Sequence, residues 1–235
     1  MRITHALVLI CALAAAAFAG DYAKLEVIGF STDSRYLAFE EYGTQDGSGF
    51  PYSSIFFIDM AKNSFATAPV KVRIEKETAT EKLARTRAAA LATKSLRQFA
   101  IVRGNTGSLV LSHLPTDLTF DDEDKQVRFA EEIGSMYHKG DYALKLNEIP
   151  FKSPECQSYG DDTFGFELTL SNKDGNATRT LQKDAALPTS RGCPLSYDIR
   201  SVYIYKGLVA AFVSVYTRGF EGPDLRHLAV TGKLK

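Results

Sequence analysis

Residues 29–60 read GFSTDSRYLAFEEYGTQDGSGFPYSSIFFIDM, a strand, turn, strand, loop, strand pattern in one unbroken run. Within it, residues 35–42 and 54–59 are apolar on both alternating faces: Leu37 and Phe39 against Tyr36 and Ala38, then Phe56 and Ile58 against Ile55 and Phe57. A strand exposed on one side alternates apolar with polar, so these two must be covered on both sides.

Working outward, the same kind of signal recurs at 25–30, 108–113, 126–132, 142–149, 164–171, 178–182, 199–205, 208–217 and 226–231. Asn172-Lys173-Asp174-Gly175-Asn176 supplies a hairpin turn in which Gly175 is free to take positive φ. One segment breaks the pattern. Residues 78–99 lack Gly and Pro and are rich in alanine, and Thr78 with Glu81 has capping-box spacing. Ala84, Ala88, Leu91, Ala92 and Phe99 fall on one arc of that helix, with Arg87, Lys94 and Arg97 opposite. The expected fold is mainly β, built of antiparallel meanders in a propeller-like or sandwich-like arrangement, with one amphipathic helix at about 78–99.

Sliding 34–60 onto 206–232 without gaps places Leu37 on Val209, Ala38 on Ala210, Gly47 on Gly219, Pro51 on Pro223 and Ile58 on Val230. This echo would make the loops at 44–52 and 218–226 related positions.

Residues 1–19 have one early cation, Arg2, an apolar run from Ala6, and the small-x-small ending Ala17-Phe18-Ala19. They read as a cleaved signal peptide, leaving one β-rich domain over 20–235 with no membrane span. The full chain carries 28 Lys and Arg against 28 Asp and Glu, and the leader removes only Arg2 from that balance. Near-neutrality argues against nucleic acid as a partner. Of the 3 cysteines, Cys156 and Cys193 survive cleavage. In an exported chain the remaining pair is expected to form a disulfide, tying the loop at Pro154 to the turn at Pro194.

The opening stretch resembles the blade motif of TolB-like propellers, in which a Phe-Ser-x-Asp-Gly turn leads into an apolar strand. Ser34 stands here at the usual glycine and Thr32 at the usual proline. A broader resemblance rests on EEYGTQDGSGFPYSSIFFID, LPTDLTF, FGFELTL, RGCPLSYDI and GFEGPDLRHLAVT, in that order. These segments are similar to those of a bacterial family of predicted secreted proteins with a domain of unknown function. That resemblance implies secretion and a shared fold, and carries no reaction, ligand or catalytic residue.

Chemistry is sparse. Glu40, Glu41, Asp46, Glu221 and Asp224 could supply the paired carboxyl groups that glycoside hydrolysis requires, or could instead stabilise turns and networks. The 44–52 loop presents Ser48, Phe50 and Tyr52 beside two glycines, and its counterpart presents Phe220 and Arg226. Aromatics beside mobile glycines can grip a sugar ring or a peptide strand, or simply fold back onto the core. Gly47-Ser48-Gly49 lacks the elbow of a serine nucleophile. His113, His138 and His227 stand singly, and Asp121-Asp122-Glu123-Asp124 lacks the spacing of a calcium loop, so no metal or cofactor is expected. The expectation is a monomeric, periplasmic or released protein that binds an envelope protein or glycan, with a glycan hydrolase or a purely structural protein as alternatives.

Overall fold

Strands β2 (Tyr36–Thr44) and β3 (Pro51–Asp59) form the hairpin anticipated in the opening stretch, with Tyr36 opposite Asp59 and Thr44 opposite Pro51. They come from a computed structural model that describes residues 20–113, 125–131, 142–172, 175, 177–220 and 222–235. The expected leader at 1–19, the acidic run at 121–124 and His138 lie outside the described residues. With β1 (Lys24–Phe30), β4 (Ser64–Phe65) and β5 (Val70–Arg73), the hairpin makes sheet I, in which β4 and β5 both pair with β3. Sheet II has the order β13-β12-β11-β6, from β6 (Ser108–Ser112), β11 (Pro194–Tyr205), β12 (Leu208–Arg218) and β13 (Pro223–Lys233). Sheet III has the order β10-β9-β8-β7, from β7 (Gln126–Phe129), β8 (Tyr142–Phe151), β9 (Thr163–Asn172) and β10 (Thr178–Lys183).

The layers stack as helix, sheet I, sheet II, sheet III. Leu37, Phe39 and Ile58 pack on Ala210 and Phe212 of sheet II, while Ala38, Ile55 and Phe57 pack on Ala88 and Ala92 of helix α1 (Glu81–Gln98) and on its C-cap Phe99. Both faces of β2 and β3 are therefore covered, which is why both are apolar. Sheet II is more enclosed still: residues 209–215 of β12 are all buried, with Val209, Ala211 and Val213 facing Leu144, Phe166 and Leu168 of sheet III. Sheet III alternates, turning Leu168 and Leu170 inward while Glu167 and Thr169 remain partly exposed. Its polar outer face and the helix on sheet I end the stack, so the meanders pile face to face like propeller blades without closing a ring.

The helix differs in detail from the expectation. Its N-cap is Thr80, whose hydroxyl accepts the Leu83 N–H, and not Thr78. Leu91 is 65% exposed, and Leu96 joins Ala84, Ala88 and Ala92 on the buried stripe. Spacing of four selects the small alanines, which let the helix approach the sheet closely, and Leu91 falls just off that stripe.

Cys156, in the short helix α2 (Pro154–Gln157), is bonded to Cys193 with Cα atoms 5.5 Å apart, as expected. The terminal echo is visible too. The 172-residue shift carries Tyr36 onto Leu208 and Pro51 onto Pro223, the first residues of both hairpin strands. It also carries Ser34 (φ 61°) onto Lys206 (φ 48°), both in the left-handed region. The registers differ by two residues, since Leu208 faces Lys233 and the shift predicts Thr231. A slip of two preserves which face each side chain occupies.

Candidate functional site

Alternation along β2 sends its two adjacent glutamates in opposite directions. Glu40 points with Ala38 toward α1, where Arg85 donates from Nε to both carboxylate oxygens at 3.1 Å and from Nη2 to Oε2 at 2.8 Å. Ser53 Oγ donates to the same carboxylate at 2.8 Å. Glu40 is thus a structural ion pair, set apart from the other candidate acids. Replacing Arg85 by alanine leaves a buried carboxylate with one remaining donor. The expected loss is about 2 kcal/mol, below the figure for a fully enclosed pair because Arg85 is 30% exposed. Urea unfolding measures it, and an unchanged midpoint contradicts it.

Glu41 points the other way, into a cleft of about 1070 Å³ that opens along β13. One wall is sheet I, with Phe56, Phe65 and Lys71, and the other is β10 and the 188–192 turn, with Gln182, Pro188 and Arg191. A second cleft of about 750 Å³ adjoins it and shares Gln45, Arg191, Gly192, Thr217 and Arg226. Gln45, Asp46 and Ser48 of one loop and Arg218, Gly219 and Phe220 of the other line this second cleft, and Phe220 touches the space beside Gly47. The two echoed loops therefore do meet.

Glu41 accepts the His227 backbone N–H. Burial pushes its carboxyl up to about 7, against the opposing pull of that hydrogen bond and of Arg226 and Lys71. His227 is buried, and its Nε2 lies 3.0 Å from the Ala23 carbonyl, which can only accept, so Nε2 carries the proton. Nδ1 is then a bare acceptor, buried and with no hydrogen-bond partner. Burial pulls this imidazole down to about 4, so it is neutral at physiological pH.

Beside them lies a network centred on Asp21. Tyr52 Oη donates to its Oδ1 at 2.9 Å, and Arg226 donates to its Oδ2 at 2.5 Å and to its carbonyl at 2.7 Å. The Asp21 N–H in turn bonds Asp224 Oδ1 at 3.0 Å. Desolvation raises the Asp224 carboxyl, with Asp21 and Asp46 adding like charge. Tyr52 is thus no exposed gripping aromatic: it is 8% exposed and holds the N-terminal segment against β3. Phe50 is half-buried, and of these three aromatics Phe220, at 81%, is the exposed one. Ser48 is spent on its loop, accepting the Phe50 N–H at 3.3 Å and donating to Gln45. Asp46 holds the Gly47 N–H with one oxygen, while its other oxygen is buried and unpartnered. Glu221 lies outside the described residues.

The structure thus brings Glu41, Tyr52, Asp224 and Arg226 to one groove with Asp46, Ser48 and Phe220 at its rim, and excludes Glu40. Asp21, His227 and Lys71 were missed by sequence reasoning. Asp21 reaches its partners across 203 and 205 residues, and no local pattern encodes such a contact. His227 carried a weaker signal: it sits beside Arg226 in a strand whose other residues are mostly apolar. Among the described residues no group of three or more His, Cys, Asp or Glu is placed to hold a metal ion, and no helix is long and apolar enough to cross a membrane.

Comparison with curated proteins found no match. Residues 38–233 match the family model described as "Predicted secreted protein (DUF2259)", a span that takes in both echoed hairpins and the groove between the sheets. The chain belongs to this family of predicted secreted proteins with a domain of unknown function.

Proposed function

We propose that the protein is a monomeric binding module of the bacterial cell envelope, residing in the periplasm, that takes its partner into the groove along β13. The observation that carries this reading is the convergence of two loops distant in sequence on one cleft, which adjoins a second cleft lined by Glu41 and His227. A concave site with a few convergent polar groups and a shifted carboxyl is where a ligand is expected to sit. A purely structural secreted protein predicts neither a groove nor a strongly shifted carboxyl beside it, so Glu41 runs against that alternative.

Phe220 is the residue to test, since it is exposed at the rim and makes no contribution to the core. Phe220→Ala should shift stability by less than about 0.5 kcal/mol, as surface substitutions do. Crosslinking and recovery from the envelope fraction should then lose the partner that the wild-type protein captures. Equal recovery by both proteins sinks the reading.

Hydrolysis of an envelope glycan is a second reading, favoured by the carboxyl of Glu41 titrating near neutrality, where a general acid works best. It needs Asp46 or Asp224 as the second carboxylate, because Glu40 is committed to Arg85 on the far face.

A further inference from the structure

Among the described residues sheet II stops at β13, while sheet I and sheet III both flank the space beyond its edge. The missing neighbour is strand-shaped. Along β13 the N–H groups of Leu225, His227 and Thr231 point away from β12. Leu225 bonds the main chain of Asp21 at 3.0 Å, His227 bonds the Glu41 carboxylate, and Thr231 bonds Asn63 Oδ1 at 2.8 Å. Antiparallel alternation puts the N–H and carbonyl of Ala229 in the same outward row. At His227 a side-chain oxygen therefore stands where the carbonyl of a neighbouring strand would stand.

The gap has defined ends. At one, residues 21–23 already run beside β13, with Tyr22 bridged to Leu225 in parallel. At the other, Asn63 is fixed by donating to Leu181 and Gln182 of sheet III. Between them residues 226–230 all line the cleft, an edge about 17 Å long at strand rise. Lys71, Arg73, Arg191 and Arg226 line it as well. Arg73, Arg191 and Arg226 are paired with Glu75, Asp184 and Asp21 behind the lining, and Lys71 stands beside Glu41 as the cation that a carboxylate in the groove would meet.

We propose that the groove takes an extended polypeptide segment bearing at least one carboxylate, which adds to β13 as a further strand and displaces the side chain of Glu41 from the His227 amide. Main-chain bonds to His227 and Ala229 supply the register, and the aromatic wall of Phe56 and Phe65 receives alternate side chains. A free strand edge invites this pairing, and Glu41 guards it until a partner arrives. The inference rests on the groove being a binding site.

The probe is a displayed library of 12-residue random peptides, selected against the intact mature protein. Selected peptides should contain Asp or Glu, and N-methylation of one alternate set of their amides should weaken binding roughly tenfold or more, while the other set tolerates it. Binding should slow amide exchange at His227 and Ala229 by about the same factor. Ala229→Pro removes an N–H that β12 does not use, and an edge strand accepts proline there, so the variant should unfold normally yet fail to bind the peptides. A selection that yields no peptide of micromolar affinity overturns the proposal, as does binding indifferent to N-methylation at every position. The N-methyl series reads the wild-type protein and stands even if the proline variant misfolds. Should Phe220→Ala lose its envelope partner while folded Ala229→Pro retains it, the rim binds and strand addition falls.

Discussion

Phe212→Ala is expected to lower the unfolding free energy by about 4 kcal/mol, the range for removing a large buried aromatic. The site is the middle of the middle sheet. Phe212 is fully buried, edge-on to Phe39 of sheet I at 5.1 Å between ring centroids and to Tyr203 of β11 at 5.7 Å. Its neighbours Ala210 and Ala211 are small and fully buried, so no long side chain stands ready to swing into the void. Two packed sheets and the layers beyond them resist collapse, so most of the cavity should persist. For a domain of this size the loss corresponds to a fall in melting temperature of roughly 10 °C. Urea denaturation gives the free energy directly, and a cost below about 2 kcal/mol would mean that the layers close over the gap.

Glu41→Gln should change the dependence of stability on pH by about 3 kcal/mol. The carboxyl titrates at 4.5 when unfolded and at about 7 when folded, so the folded protein holds the extra proton between those values. Its contribution to stability is intact below pH 4.5 and is lost as pH rises to about 7, where burying the charge carries its full cost. His227 works in the opposite sense. It is protonated below 6.5 when unfolded but only below about 4 when folded, so stability rises with pH across that window. In the wild-type protein the two slopes nearly cancel between pH 4.5 and 6.5. Glutamine keeps an oxygen for the His227 N–H and cannot ionise, which leaves the histidine slope uncompensated. The variant should therefore match the wild type near pH 4.5 and exceed it by about 3 kcal/mol at pH 8. Parallel stability curves for the two proteins would show that Glu41 ionises without cost in the fold.

The layers could be read in the sequence where burial leaves a mark on every residue. Both faces of 35–42 and 54–59 are largely apolar because a helix lies on one and a sheet on the other, and the 208–213 run is apolar throughout because two sheets enclose it. Strand ends were less legible. Pro51 and Pro223 open β3 and β13, but a proline reads as the end of a loop until its register is known. The two-residue β4 and the half-exposed β5 are too short and too polar to stand out.

The site was legible only in part, for a different reason. Glu40 and Glu41 are adjacent and chemically alike, and only the parity of the strand separates an ion pair under the helix from a carboxyl in the groove. Phe220 could be named because loop composition exposes it, whereas Tyr52 follows the same kind of loop as the second residue of β3 and is drawn inward to Asp21. Composition records what a residue is, and tertiary partners decide what it faces.

The contact between residues 21–23 and β13 also governs the order in which the chain can be completed. Residues 21–23 have their partner at Leu225 of β13, and strands β11, β12 and β13 of sheet II follow those of the sheets on either side along the chain. Such pairing is costly to reach from an open chain, because a long loop must close before any contact rewards it. Layers I and III accordingly lack their common core until the final forty residues are available, and a nascent chain cut short of β12 has an exposed face on each of them. Residues 21–23 can take their place beside β13 only once that strand is present.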